Sequence, residues 1–139
     1  MSRKEARESV MCFLFQNTFI DKYDSSIEDR IDNYISFREF DSDDIDFFKA
    51  QVTGIIDQKA YLDEEISKYL VDWKVSRLPR VDLAILETAF YEMLFSDDIP
   101  TSVSISEAVR LSKKYGNEQT RNYINGVLSS FSKNIPNKD

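Results

Sequence analysis

Two stretches of the sequence set cations or amides beside an aromatic at helical spacing, a combination that can hold single-stranded nucleic acid. At about 100 degrees per residue, Lys4, Arg7, Met11 and Phe15 share an arc of about 80 degrees, with Arg3 beside it. Lysine and arginine meet phosphates, and an aromatic face accepts an unstacked base. Towards the other end, Gln119, Tyr123 and Gly126 share a stripe, with Asn122 alongside and Lys113, Lys114 and Arg121 adding positive charge. There Tyr123 can stack on a base while Gln119 or Asn122 reads a base edge. Each stripe has a second reading. Phe15 also fits as ordinary core behind a solvated helix start, and Tyr123 as a boundary tyrosine with its hydroxyl in water.

Other chemistries find little support. The chain has no histidine, which removes the usual acid/base near neutral pH and the commonest transition-metal ligand. Its three glycines, Gly54, Gly116 and Gly126, lie too far apart to form a phosphate-cradling loop, so no nucleotide cofactor is expected. The acid pairs Asp43-Asp44 and Asp97-Asp98 fall where helix starts or turns are expected, and read as capping or solvated acids before a catalytic dyad. A single cysteine, Cys12, cannot close an internal disulfide, and the first ten residues carry no apolar signal core. Charges interrupt every hydrophobic run well short of the roughly 20 residues that span a bilayer. These features lead us to expect a cytoplasmic, non-enzymatic protein without cofactor, metal or membrane partner.

The net charge of -7 argues against a nucleic-acid partner only while it is read as one number. Residues 21–65 hold 14 acids against 5 bases, whereas residues 110–138 hold 6 bases against the single acid Glu118. Counterion release responds to the local patch, so a basic face on an acidic protein can still grip a phosphate backbone.

The elements that must carry these residues read as all-α, because apolar positions recur with a helical period and never alternate for long. A first helix is expected over residues 3–20, then a turn at Asp24-Ser25-Ser26 and a short helix ending near Phe37. From Asp41-Ser42-Asp43 a long helix or helix pair carries Ile45, Phe48, Val52, Ile55, Ile56, Ala60, Ile66 and Leu70 as one buried stripe. Pro79 opens a helix running to Phe95. Another starts near Thr101 and closes at Gly116 with a left-handed cap, and the last covers residues 117–133 before a frayed tail. Gly126 inside that last helix costs about 1 kcal/mol relative to alanine, which close approach of a neighbouring helix would offset. The whole is expected to be one domain of two packed three-helix bundles, roughly residues 1–75 and 76–135.

The segment Arg80-Val81-Asp82-Leu83-Ala84-Ile85-Leu86-Glu87-Thr88-Ala89-Phe90-Tyr91-Glu92-Met93-Leu94, followed by Asp98-Ile99-Pro100, resembles the middle of NusB proteins. Ile105-Ser106-Glu107-Ala108-Val109-Arg110-Leu111-Ser112-Lys113-Lys114-Tyr115-Gly116 continues the match. Tyr123-Ile124-Asn125-Gly126-Val127-Leu128 completes it, and Ala6-Arg7-Glu8 adds a weaker likeness near the start. The resemblance implies two three-helix bundles and a transcription antitermination factor. Such a factor binds the single-stranded boxA element of ribosomal RNA leaders together with NusE, a small-subunit ribosomal protein, within the RNA polymerase antitermination complex.

By the same resemblance Arg3, Lys4, Arg7, Phe15 and Tyr123 are expected on the RNA face, to which the spacing of the last helix adds Gln119 and Asn122. Asp82 resembles the family's acid on the NusE side, and equally fits an acid complementing a helix start. The sequence departs from the family where Glu5 interrupts the amino-terminal bases, and at Cys12 and Gln119. Two other readings stand beside this one. NusB-like domains also occur fused to RNA methyltransferases, and a helical interaction scaffold with weakened RNA binding would fit the sparse amino-terminal arginines.

Overall fold

The computed structural model describes residues 1–20 and 25–138, so the turn expected at Asp24 lies outside the described residues. Among the described residues there are seven α-helices and no strand. Contacts divide the chain into two compact units, Met1–Gly54 and Ile55–Asp139. The division falls within a helix, upstream of the position near residue 75 expected from the sequence.

The first unit holds α1 (Arg3–Asn17), α2 (Ile27–Ser36) and most of α3 (Ser42–Asp57). A reciprocal box starts α1: the Ser2 hydroxyl accepts from the Glu5 amide at 3.1 Å, and the Glu5 carboxylate accepts from the Ser2 amide at 2.9 Å. This satisfies two amide donors that a helix start leaves unpaired. Ser26 caps α2 in the same way through the Asp29 amide. The expected core face of α1, Ala6, Val10, Phe13 and Leu14, is buried. An aromatic cluster ties the unit together: Phe13 meets Tyr34 and Phe48 edge-on, and Tyr34 stacks on Phe48 at 5.2 Å. Two expectations change. α1 ends at Asn17 instead of Ile20, and Met11, placed with the cationic stripe by spacing, is 1% exposed and belongs to the core.

The second unit contains α4 (Lys59–Ser67), a 3₁₀ turn (Val75–Arg77), α5 (Arg80–Phe95), α6 (Thr101–Tyr115) and α7 (Glu118–Ser132). α5 is its centre, packed against α4, α6 and α7. Ala84, Ile85, Leu86, Ala89, Phe90 and Met93 are accordingly buried around the helix. Phe90 stacks face to face on Phe131 of α7 at 3.9 Å, with Tyr69 edge-on to both. The stripe expected to continue through Ala60 breaks at Gln58, where the backbone leaves helical geometry and resets the phase. Ala60 is exposed, and Leu62 and Ile66 carry the core instead.

Pro79 and Pro100 occupy the cap positions of α5 and α6, both extended. Gly116 has φ -100° and ψ -160°, an extended link, not the expected left-handed cap. The Asn117 cap of α7 follows at once, leaving no room for a helix-terminating reversal. Glycine is required there for closeness: an added Cβ would lie 3.0 Å from the Ser112 carbonyl oxygen and 3.3 Å from Asp82 Oδ1. At Gly126 the reverse holds. Among the described residues, no atom beyond its own stretch of helix comes within 4 Å of an added Cβ, so no neighbouring helix approaches there to offset its cost.

The tail is held as far as residue 138. The Lys138 ammonium donates to the Glu92 and Ser96 carbonyls at 3.0 Å each, capping the end of α5. On the face between α4 and α5, Lys59 Nζ donates to Glu87 Oε2 at 2.7 Å and Asp63 Oδ2 at 3.0 Å. Burial and a hydrogen bond with the Asp63 carboxyl push the Glu87 carboxyl up to about 8.

Candidate nucleic-acid interface

The two expected stripes lie one in each unit. In the first, the capping box fixes the start of α1 and leaves Arg3 and Lys4 exposed, with Arg7 half-buried one turn on. The Arg3 guanidinium lies 4.1 Å above the centre of the Phe47 ring, a cation–π contact that orients it. Phe15 is half-buried and meets Phe19 edge-on at 5.1 Å, and Phe19 is 62% exposed. Phe15 therefore stands outside the Phe13–Tyr34–Phe48 cluster and keeps part of its face open. Spacing along α1 missed Phe19, which lies past the helix end, and Phe47, which comes from α3.

In the second unit, α7 begins with another reciprocal box. The Asn117 side chain accepts from the Thr120 amide at 3.0 Å, and the Thr120 hydroxyl accepts from the Asn117 amide at 3.3 Å. This locks the turn that presents Gln119 and Asn122, both exposed, and Tyr123, half-buried. The Tyr123 hydroxyl is not free in water: it accepts from the Val71 amide at 2.8 Å and donates to the Val71 carbonyl at 3.1 Å. The next residue, Asp72, takes a left-handed backbone with φ 66°, after which Trp73 turns back to place its ring 6.4 Å from that of Tyr123.

Between these two rings and the first turns of α5 and α7 is a cavity of about 430 Å³, counted to its open mouth. Leu78, Leu86 and Ile124 give it apolar walls, and Gln119, Thr120 and Asp82 supply its polar groups. Asp82 sits in the first turn of α5 and is 2% exposed. That is the place of an acid complementing a helix start. Burial raises the carboxyl above its ordinary range, opposed by a hydrogen bond with Thr120.

Of the residues singled out by sequence, the structure thus brings Asp82, Gln119 and Tyr123 to one cavity, while Asn122 stays outside its lining. Trp73 and Thr120 were missed. The only available signal was that the chain's single tryptophan falls between the helical pattern ending near Leu70 and the helix opened by Pro79.

A family model described as the NusB family matches residues 4–133. The Transcription antitermination protein NusB of Bacillus velezensis is 42% identical over 135 residues, covering 97% of this chain and 98% of its own length. That of Clostridium botulinum strain Kyoto is 38% identical, covering 94% and 99%. Among solved structures, T. maritima NusB superposes with a TM-score of 0.84 at 31% identity, over 96% of this chain and 92% of its own. A crystal structure of antitermination factors NusB and NusE in complex with dsRNA gives 0.83 at 22% identity, over 96% and 97%, a likeness of fold. A family match over nearly the whole chain, joined to relatives and a fold that agree from end to end, shows that this chain belongs to the NusB family.

Proposed function

We propose that the chain is a transcription antitermination factor of the cytoplasm that binds boxA-type single-stranded RNA of ribosomal RNA leaders. On this reading it acts together with NusE, within the RNA polymerase antitermination complex, and catalyses no reaction. The observation that carries the proposal is the start of α7, where Tyr123 and Trp73 set two aromatic faces beside the amide of Gln119. Single-stranded RNA is recognised by stacking its bases on aromatic rings and by hydrogen bonds to their edges. The second support is the exposed cations Arg3 and Lys4 at the capped start of α1, with Arg7 and the partly open Phe15 ring along the same helix. These supply phosphate contacts and a further stacking face. Titrating a labelled boxA-like RNA with the protein, with and without NusE, tests the reading. Saturable binding that NusE tightens is expected; no binding under either condition would overturn it.

A further inference from the structure

We propose that Phe47 is a positioning residue for RNA binding: its ring holds the Arg3 guanidinium in place for a phosphate of the strand. This rests on the RNA-binding reading above and adds how a chain with few amino-terminal cations keeps one of them oriented. Arg3 opens α1 and Phe47 stands in the second turn of α3, so the fold of the first unit brings the two together.

Arg3 is fixed at both ends. Its backbone lies inside the reciprocal box of Ser2 and Glu5, so the residue that interrupts the run of bases is also the one that anchors the helix start. Its guanidinium lies 4.1 Å above the centre of the Phe47 ring. The Met1 ammonium lies 3.9 Å from Asp41 Oδ2, a second contact between this end of the chain and the start of α3. An arginine immobilised on binding gives up rotamer freedom, and a side chain already held in place gives up less. The nature of the holder matters as well. A carboxylate would cancel the charge, whereas an aromatic face leaves the guanidinium charged and its N–H edge able to donate to a phosphate. Arg3 is exposed and Phe47 half-buried, so the ring is partly covered while the cation above it reaches solvent.

A ring that served only the fold, or that stacked on a base itself, would behave differently from one that acts through Arg3, and a double-mutant cycle separates these roles. A labelled boxA-like RNA is titrated by anisotropy with the full chain as wild type, Phe47→Leu, Phe47→Tyr, Arg3→Ala, and Arg3→Ala combined with Phe47→Leu. Thermal melts establish that each protein is folded at the titration temperature. Phe47→Leu should weaken binding roughly two- to fivefold, the size expected of an exposed cation–π contact. Phe47→Tyr keeps the aromatic face and should bind like wild type. With Arg3 already alanine, Phe47→Leu should make no further difference. Phe47→Met, a second apolar filler without a ring, carries the same expectations, so the cycle does not depend on one variant folding. Wild-type affinity in a folded Phe47→Leu or Phe47→Met, or in Arg3→Ala, overturns the proposal while leaving RNA binding intact. An equal loss with and without the Arg3 side chain also overturns it and assigns the ring to the fold or to the RNA itself. Failure of the wild type to bind RNA overturns both readings.

Discussion

The hydroxyl of Tyr123 closes both backbone groups of Val71, 52 positions earlier in the chain. One side chain therefore fixes the segment that carries Trp73 while offering its own ring to the cavity. A boundary tyrosine with its hydroxyl in water would add little to stability; these bonds change that. Tyr123→Phe should cost about 1–2 kcal/mol of unfolding free energy through the lost hydroxyl bonds while retaining most RNA affinity. Tyr123→Ala should cost more stability and also lose roughly 1–3 kcal/mol of binding. Denaturant unfolding and RNA titration on the same three proteins check both orderings.

Lys4 is exposed in the first turn of α1. Lys4→Glu should leave helical content unchanged and weaken RNA binding similarly for all sequences. With few phosphates engaged, log K against log salt should have a slope of about -2 to -4 in wild type, shallower by about 1 in the variant. A variant with the wild-type slope would remove Lys4 from the RNA face.

The two glycines of the carboxy-terminal half should respond oppositely to the same change. At Gly116 an added methyl meets the Ser112 carbonyl at 3.0 Å, so Gly116→Ala should destabilise by about 1–3 kcal/mol. Gly126 lies inside α7 with open space around it, so Gly126→Ala should stabilise by about 0.5–1 kcal/mol. Thermal melts of both variants decide this.

Stability should fall between mildly acidic and mildly basic pH. Glu87 releases its proton at about 8 when folded, but near its ordinary value of 4.5 when unfolded. Between those values the folded state holds the extra proton, so its contribution is present below 4.5 and lost as pH rises through 8. Melting temperature should drop by about 3–8 °C from pH 6 to pH 8.5. Glu87→Gln, which keeps the hydrogen bond to Lys59 possible without a titrating group, should flatten that dependence.

The starts of α1, α2 and α7 were legible in the sequence because each is written in nearby residues: Ser2 with Glu5, Ser26 before Ile27, and Asn117 before Glu118. The break at Gln58 was not, since nothing in its type interrupts a helical pattern. Gly116 was recognised as a helix end, but its conformation depended on how soon α7 follows. At the candidate site, Gln119 and Tyr123 could be paired from their spacing along one helix. Trp73 could not, because it lies 50 positions before Tyr123 and reaches it after a left-handed Asp72. Asp82 looks the same at a buried or an exposed helix start, so its place in the cavity needed the fold.

The stack of Phe90 on Phe131 also sets an order of events during synthesis. Successive packing of α5 on α6 and α6 on α7 keeps contacts local in sequence, which favours rapid folding. The amino-terminal aromatic cluster has all its rings by residue 48, but the second core lacks one face of Phe90 until residue 131 has been made. On a growing chain the first unit can therefore mature while the second waits with its central helix incompletely covered. A nascent chain stalled within α7 would expose that apolar surface, making the final helix the point at which the molecule passes from aggregation-prone to protected.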